Sequence, residues 1–136
     1  MAAGYRPSSG IRAFLSGTPP ILSLVAAQEG IALTAEAGIS AIRRKGVALT
    51  ELAIELADSF LADVGVGVAS PRDPLHRGSH VALAHPEAER LCRGLMDHDV
   101  VVDFRGPNVI RVGLSPLTTR FVDVWDATAM LRDLLT

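Results

Sequence analysis

One arginine occupies a position where its side chain could bind an anion. Arg111 interrupts an apolar run between Val109 and Leu114, in a segment that reads as a β-strand. A guanidinium in such a run is costly to desolvate unless it meets an anion. The anion is either an Asp or Glu of the same chain or a ligand carboxylate, which a guanidinium binds through two parallel hydrogen bonds. Gly113, two residues on, adds no side chain that would crowd a ligand on that face. The strand pattern leaves both interpretations open.

Other residue types that could do chemistry are present without the spacing that the chemistry needs. His76, His80 and His85 do not share a helical face, and no cysteine or carboxylate joins them, so we predict no metal site. Lys45 is the only lysine, and it lies in a basic run on an expected exposed helix face. That is the wrong setting for a desolvated, reactive amine. We find neither a Ser-His-Asp pattern nor a phosphate-binding glycine loop.

The composition describes an ordinary globular domain. The chain has 136 residues, 49% of them hydrophobic, and a formal net charge of −2. Aromatic residues are few and form no basic cluster, which argues against nucleic acid as a partner. The single cysteine, Cys92, excludes an internal disulfide and is expected as a buried thiol in a reducing compartment. We see no export signal and no apolar run long enough for a membrane span, and therefore expect a cytoplasmic protein.

The hydrophobic periodicity predicts the element order α-α-β-β-α-β-β-α. In the Gly-Thr-Pro-Pro loop before the first helix, Thr18 suits an N-cap. A short strand or single turn at residues 11–15 precedes this loop, after a turn-rich start. The helices are expected near residues 20–33, 39–62, 87–96 and 120–134, and the strands near 64–69, 79–84, 100–104 and 109–113. Consecutive strands are separated by too few residues, and there are too few helices, for a doubly wound parallel sheet. We predict an α+β fold, a small mostly antiparallel sheet with helices packed on one face.

The same periodicity predicts which surfaces are covered. The helix at residues 20–33 is apolar nearly all round, so it should be buried or face a partner outside this chain. In the second helix, Gly46 lies on the apolar stripe and is expected to mark a close helix crossing. The basic cluster at residues 43–45 faces away from that stripe and is expected to be solvated. The last helix is expected to bury five side chains: Phe121, Val124, Trp125, Thr128 and Leu131.

Several segments resemble the bacterial kynureninases in order and spacing, from about residue 4 to the end of the chain. They are residues 5–24, which include Gly-Thr-Pro-Pro, then 70–74 (Ser-Pro-Arg-Asp-Pro), 77–81 (Arg-Gly-Ser-His-Val), 103–111 (Asp-Phe-Arg through Arg111) and 120–127 (Arg-Phe-Val-Asp-Val-Trp-Asp-Ala). Because the likeness covers nearly the whole chain, it is more specific than any single motif.

The resemblance implies a fold, a reaction and two site residues. Kynureninases are homodimeric pyridoxal-phosphate hydrolases of the aspartate-aminotransferase fold (fold type I). They cleave L-kynurenine, or 3-hydroxykynurenine, to anthranilate, or 3-hydroxyanthranilate, and L-alanine, in tryptophan catabolism and the route to NAD. By this resemblance Thr18 bonds the cofactor phosphate, reaching the neighbouring subunit's site, and Arg111 binds the substrate α-carboxylate.

The chain departs from the family pattern in two respects. Thr118 stands where the family usually has a tyrosine. The Schiff-base lysine, the aspartate paired with the pyridine nitrogen and the aromatic that stacks on the ring are expected upstream of this chain. The resemblance therefore implies a C-terminal portion with no catalytic residue of its own. Residues 1–33 would be a linker, phosphate-contacting loop and buried helix on the large-domain side, and residues 34–136 the small α+β domain.

Two other readings of the chain differ in function. One is a segment of another class V aminotransferase or desulfurase, which the Ser-Pro-Arg-Asp-Pro and Asp-Phe-Arg matches disfavour. The other is a non-catalytic interaction module descended from a truncated gene.

Overall fold

The computed structural model describes residues 7–15 and 17–136. The chain divides into two compact units, Met1–Glu36 and Ala37–Thr136. The predicted turn-rich start at residues 1–6 lies outside the described residues, as does Ser16 of the predicted proline loop. The assignment of residues 1–33 and 34–136 to different functional parts stays a prediction.

The first unit contains one short turn and one helix. A 3₁₀ turn, Gly10–Phe14, takes the place where a short strand or a single turn was expected. Helix α1, Ile21–Ala37, runs four residues further than predicted and has no buried residue. Its apolar side chains, Leu22 and Ile31 among them, are exposed. The prediction that a partner covers this helix stays a prediction. Within the described residues, no helix is both long and apolar enough to cross a membrane.

The second unit begins with one long helical segment. Gly38, at φ +75°, separates α1 from helix α2, Ile39–Leu56, in a backbone conformation that favours glycine. The segment continues through a π turn, Ala57–Leu61, and a 3₁₀ turn, Ala62–Val64. It ends where Gly65 N donates to Ala62 O and Val66 N donates to Leu61 O, with Gly65 in the left-handed region. This is a Schellman ending.

That ending shortens the first predicted strand. The Val-Gly alternation predicted a strand at residues 64–69, but the helical termination uses residues 64–66. Only β1, Gly67–Val68, pairs in the sheet. Periodicity alone did not distinguish a glycine that ends a helix from one that lies in a strand.

The sheet has four antiparallel strands in the order β1-β2-β4-β3. Strand β2 is His80–Ala84 and strand β4 is Val109–Gly113. Strand β3, Asp103–Arg105, forms the predicted hairpin with β4 through the turn at residues 106–108, but it is shorter than the predicted strand at residues 100–104 and begins three residues later. Helix α3, Ala88–Met96, connects β2 to β3, and helix α4, Phe121–Asp133, follows β4. The predicted α+β class and antiparallel sheet are confirmed.

The core lies on one face of this sheet. Val81, Leu83 and Ile110 alternate inward and are buried. They belong to one hydrophobic cluster with residues of the three helices, including Leu49, Leu91, Leu95, Val124 and Leu131. Alternation places the other side chains of β2 and β4 on the opposite face, which no helix of this unit covers.

One predicted packing detail is wrong and another is incomplete. Gly46 does not mark a helix crossing, because a Cβ there would lie 2.8 Å from Ser79 Oγ and 3.2 Å from Pro116 Cγ, both in loops. Arg43 and Arg44 of the basic cluster are exposed, as predicted, but the Arg43 guanidinium also donates to Arg77 O at 3.1 Å and to Pro74 O.

Helix α4 buries a narrower face than predicted. Val124 and Leu131 are buried, but Phe121 and Trp125 remain 47% and 50% exposed. The Trp125 ring stacks on the Phe60 ring at a centroid distance of 5.6 Å. Because Phe121 and Trp125 are four residues apart, they share a stripe beside the core-facing one.

Arg132 fastens α4 to the turn after α2. Its guanidinium lies 4.8 Å from the Phe60 ring centroid and donates two hydrogen bonds of 2.7 Å to the Asp63 carboxylate. These bonds lower the pKa of Asp63 below its ordinary value of 3.8.

We expect this pair to make stability depend on pH in the acid range. A lowered pKa in the folded state stabilises the protein fully above the unfolded-state pKa and is lost as the pH falls through the folded-state value. Relative to the native chain, Asp63→Asn should therefore lower the free energy of unfolding by a constant amount from pH 7 to about pH 5. The gap should then narrow steadily as the pH falls, because protonation of Asp63 removes the pair with Arg132. Urea unfolding of both proteins at a series of pH values measures the gap, and a gap that does not narrow on acidification would contradict the role given to the pair.

Candidate functional site

Arg111 lies at the middle of β4, on the sheet face opposite the core. Its neighbour Ile110 points into the core and is fully buried, and alternation turns Arg111 the other way. The Arg111 side chain is 41% exposed. The strand thus holds a guanidinium at a fixed place on a surface that the helices of this unit leave open.

A carboxylate on the neighbouring strand contacts this guanidinium. Asp103 is the register partner of Arg111 in the β3–β4 hairpin, and Arg111 NH2 donates to Asp103 Oδ2. Arg105, two residues along β3, donates to the same oxygen from Nε at 2.9 Å. One carboxylate oxygen therefore accepts from two guanidinium groups. This is the internal ion pair that the strand pattern allowed.

The ion pair leaves most of the Arg111 donors available. Among the described residues, the structure records one hydrogen bond from this guanidinium, through NH2. The group carries five N–H donors, so an entering carboxylate can bind without first displacing Asp103. The role of Arg111 as a ligand-binding residue stays a prediction.

The surface around Arg111 is lined by small residues. Ala82 of β2 pairs with Arg111 on one side, and Gly113 follows two residues along β4. A Cβ built on Gly113 meets nothing within 4 Å. His80, the register partner of Gly113, is exposed. Gly113 therefore leaves space beside the guanidinium on its own strand, with the exposed His80 side chain across from it.

Thr18 lies in the first unit, in an exposed bend before α1. The predicted N-cap role is wrong, since α1 begins at Ile21 and Pro20 O accepts the first helical bond, from Leu24 N. Pro19 precedes another proline and is disfavoured in the helical region, so the helix cannot begin earlier. The helix N-terminus nevertheless follows Thr18 closely, and the amide groups of its first turn have no acceptor within the helix.

Two of the histidines, the lysine and the cysteine, for which no catalytic or metal-binding role was predicted, lie near other protein groups or are buried in the structure. His76 Nδ1 lies 3.0 Å from Asp73 Oδ2, whereas the buried His85 accepts from Glu87 N at 3.1 Å. Within residues 7–15 and 17–136, no group of three potential metal ligands exists. Lys45 lies close enough to Asp123 for its charge to help lower the pKa of that carboxyl, after the larger effect of hydrogen bonds from Arg120. Cys92 is buried as predicted, and desolvation raises the pKa of its thiol.

The loop that leads into β2 is held by a buried arginine. The Arg77 side chain is only 2% exposed, and its NH1 donates to Pro71 O at 2.9 Å and to Arg72 O at 2.7 Å. Its NH2 donates to Glu51 on α2. A second link, between Arg72 and Asp58, is bidentate at 2.6 and 2.8 Å but exposed. Arg77 thereby fixes the start of β2, the strand that borders Arg111.

Sequence reasoning missed the contribution of Asp103 and Arg105 to the site. Both lie in the segment that carries the resemblance, but neither received a role. The signal was present, because a hairpin with its turn at residues 106–108 pairs residue 103 with residue 111 on one face. Pairing the two strands residue by residue would have identified Asp103 as the partner of Arg111.

Comparison with solved structures shows the fold class. The chain is similar to the apo structure of a cysteine desulfurase from Thermococcus onnurineus NA1, with a TM-score of 0.79 and 20% identity. This likeness covers 97% of the chain and 35% of the desulfurase. A NifS-like protein matches with a TM-score of 0.72 and 16% identity, over 96% of the chain and 38% of that protein. The fold is that of about a third of a cysteine desulfurase or NifS-like protein.

Sequence comparison narrows the class to one family. The model of the kynureninase C-terminal domain matches residues 42–131, and the chain belongs to this family. It is 40% identical over 135 residues to the kynureninase of Pseudomonas fluorescens and 39% identical over 135 residues to that of Burkholderia mallei (strain SAVP1). Each alignment covers 99% of the chain and 32% of the relative. The chain thus spans about a third of the length of these curated relatives.

We expect Arg77 to be important for stability, although it lies in a motif shared with an enzyme. Arg77→Ala removes the donors for two loop carbonyls and for Glu51 in a buried setting, so it should cost about 2–4 kcal/mol of unfolding free energy. Arg72→Ala is the matched control, because its pair is exposed and its loss should be much smaller. Urea unfolding of the two variants measures both losses. Equal losses would show that Arg77 is not the main link between the loop and α2.

Proposed function

We propose that this chain supplies the substrate-carboxylate site of a kynureninase. The enzyme would hydrolyse L-kynurenine, or 3-hydroxykynurenine, to anthranilate, or 3-hydroxyanthranilate, and L-alanine. The observation that carries the proposal is Arg111, fixed on the open face of the sheet with most of its donors available. Membership of the kynureninase C-terminal domain family supports the choice of substrate. The cysteine desulfurase alternative rests on a likeness that shows the fold alone.

In this proposal Arg111 binds and orients the substrate. Its planar guanidinium donates two parallel hydrogen bonds to the α-carboxylate and fixes the direction in which the rest of the amino acid extends. The open space over Gly113 admits the carboxylate. Held at one end, the substrate presents its reacting carbon in a constant position, which lowers the entropic part of the barrier.

The proposed cofactor is pyridoxal 5'-phosphate. When bound, it would supply the electron sink for cleavage of the substrate's Cβ–Cγ bond, which yields anthranilate and L-alanine. Thr18 fits a phosphate contact, since its hydroxyl is exposed and the unpaired amides at the start of α1 follow within a few residues. In the proposed homodimer, Thr18 contacts the cofactor phosphate that is bound in the neighbouring subunit. The exposed apolar side chains of α1 support this arrangement, because such a surface is expected to be covered by a partner.

The proposal also includes what the 136-residue chain does by itself. Lys45, its only lysine, lies beside Asp123 on the helical side of the domain, away from the open face of the sheet. We therefore propose that the chain without the rest of a kynureninase does not cleave kynurenine. A cytoplasmic location suits its single, buried cysteine.

Exchange of Arg111 for lysine tests the proposed role in substrate binding. The chain is joined, by fusion or co-expression, to the part of kynureninase that its relatives have in addition. Arg111→Lys keeps the charge but loses the two-pronged geometry, so kcat/KM for L-kynurenine should fall roughly 30- to 1000-fold. The loss should shrink for an analogue without the carboxylate, which never uses the guanidinium.

Stability is the control for this variant. Lysine can still pair with Asp103, and a half-exposed pair contributes little, so the melting temperature should hardly change. A large drop in melting temperature, with equal kinetic losses for both substrates, would assign Arg111 to the fold and end the proposal.

A further inference from the structure

We propose that Asp103 is the positioning residue of this site. It fixes the orientation of the Arg111 guanidinium before a carboxylate arrives, and Arg105 offsets its charge. The inference rests on the proposed function of Arg111 and adds two residues to it.

The strand register brings the three side chains together. Asp103 and Arg111 are direct cross-strand partners on one face, which places their Cβ atoms about 5 Å apart. Arg105 is two residues from Asp103 and therefore on the same face. All three contacts end on the same oxygen. Arg111 NH2 and Arg105 Nε both donate to Asp103 Oδ2, and Arg105 NH2 lies 2.8 Å from that oxygen. Backbone pairing, and not a mobile loop, sets this arrangement.

Asp103 restricts a side chain that would otherwise move freely. Arginine has many rotamers, and a ligand that must order one loses binding free energy. A guanidinium already held through NH2 has lost this freedom before binding, with its remaining donors free of protein partners among the described residues. The ligand carboxylate then binds a guanidinium that is already oriented.

Arg105 resolves the electrostatic problem that Asp103 creates. A carboxylate beside the substrate-binding arginine would repel the substrate's own carboxylate. Two guanidinium groups against one carboxylate leave one net positive charge, so the cluster still attracts an anion. The structure thus assigns orientation to Asp103 and charge balance to Arg105.

Charge and orientation predict opposite results for Asp103→Asn. Asparagine keeps the shape and removes the negative charge, which by charge alone strengthens carboxylate binding and lowers KM. If Asp103 positions Arg111, KM for L-kynurenine rises roughly 3- to 10-fold in spite of the extra positive charge, with kcat little changed. An analogue without the carboxylate should show no change. These kinetics use the chain joined to the remainder of kynureninase.

A spectroscopic measurement on the 136-residue chain tests the same point without activity. The ¹⁵Nη resonances of Arg111 should show hindered rotation in the native chain and faster rotation in Asp103→Asn. Arg105→Gln is the matched control, because it removes one charge and leaves the Asp103–Arg111 contact. Its KM should rise in a salt-dependent way, while the Arg111 resonances keep their hindered rotation.

The outcomes separate this inference from the proposed function. If Arg111→Lys loses carboxylate discrimination but Asp103→Asn leaves KM unchanged or lowers it, Asp103 is not a positioning residue and this inference is wrong. Unchanged rotation of the Arg111 guanidinium in Asp103→Asn overturns it as well. If Arg111→Lys itself has no effect, the proposed function fails first. The pair is half exposed, so Asp103→Asn should fold, and its melting temperature verifies this.

Discussion

The pairing of β4 between β2 and β3 is the constraint on which the site depends. Antiparallel register places Ala82, Arg111 and Asp103 in one row across three strands. The next row in either direction along β4 belongs to the opposite face, so a slip of one residue would bury the guanidinium and expose Ile110. The hydrophobic core therefore specifies the register, and the register specifies the site. The positions of the side chains on the open face therefore follow from the packing of the core on the other face.

Much of this fold could be predicted because turn residues mark the ends of its helices and strands in the sequence. The hairpin was recognised from its turn at residues 106–108, and β2 and β4 were placed within one residue of their observed bounds. Errors occurred where a local pattern has two meanings. Gly65 ends a helix by a Schellman motif, although the Val-Gly alternation resembles a strand. Trp125 lies at a helical spacing that predicts burial, but it stacks on Phe60 and remains half exposed.

The candidate site could be predicted only in part, for a physical reason. An arginine in an apolar strand implies an anion, but the sequence does not say whether protein or ligand provides it. The structure supplies the protein partner, Asp103, and leaves the ligand function of Arg111 as a proposal. Thr18 was selected by the resemblance, and its exact relation to the helix depends on two consecutive prolines that move the helix start to Ile21.

Three arginines of this domain have different roles because their side chains differ in burial and in hydrogen-bond partners. Arg77 is buried and donates from NH1 to two loop carbonyls and from NH2 to Glu51, so both terminal nitrogens are used by the fold, whereas Nε has no partner among the described residues. Arg72 makes a bidentate pair in water, where screening leaves such a pair little energy. Arg111 is intermediate, held at one nitrogen and half exposed. A guanidinium that is oriented but not saturated combines low mobility with remaining donors, which are the two properties that recognition of a carboxylate requires.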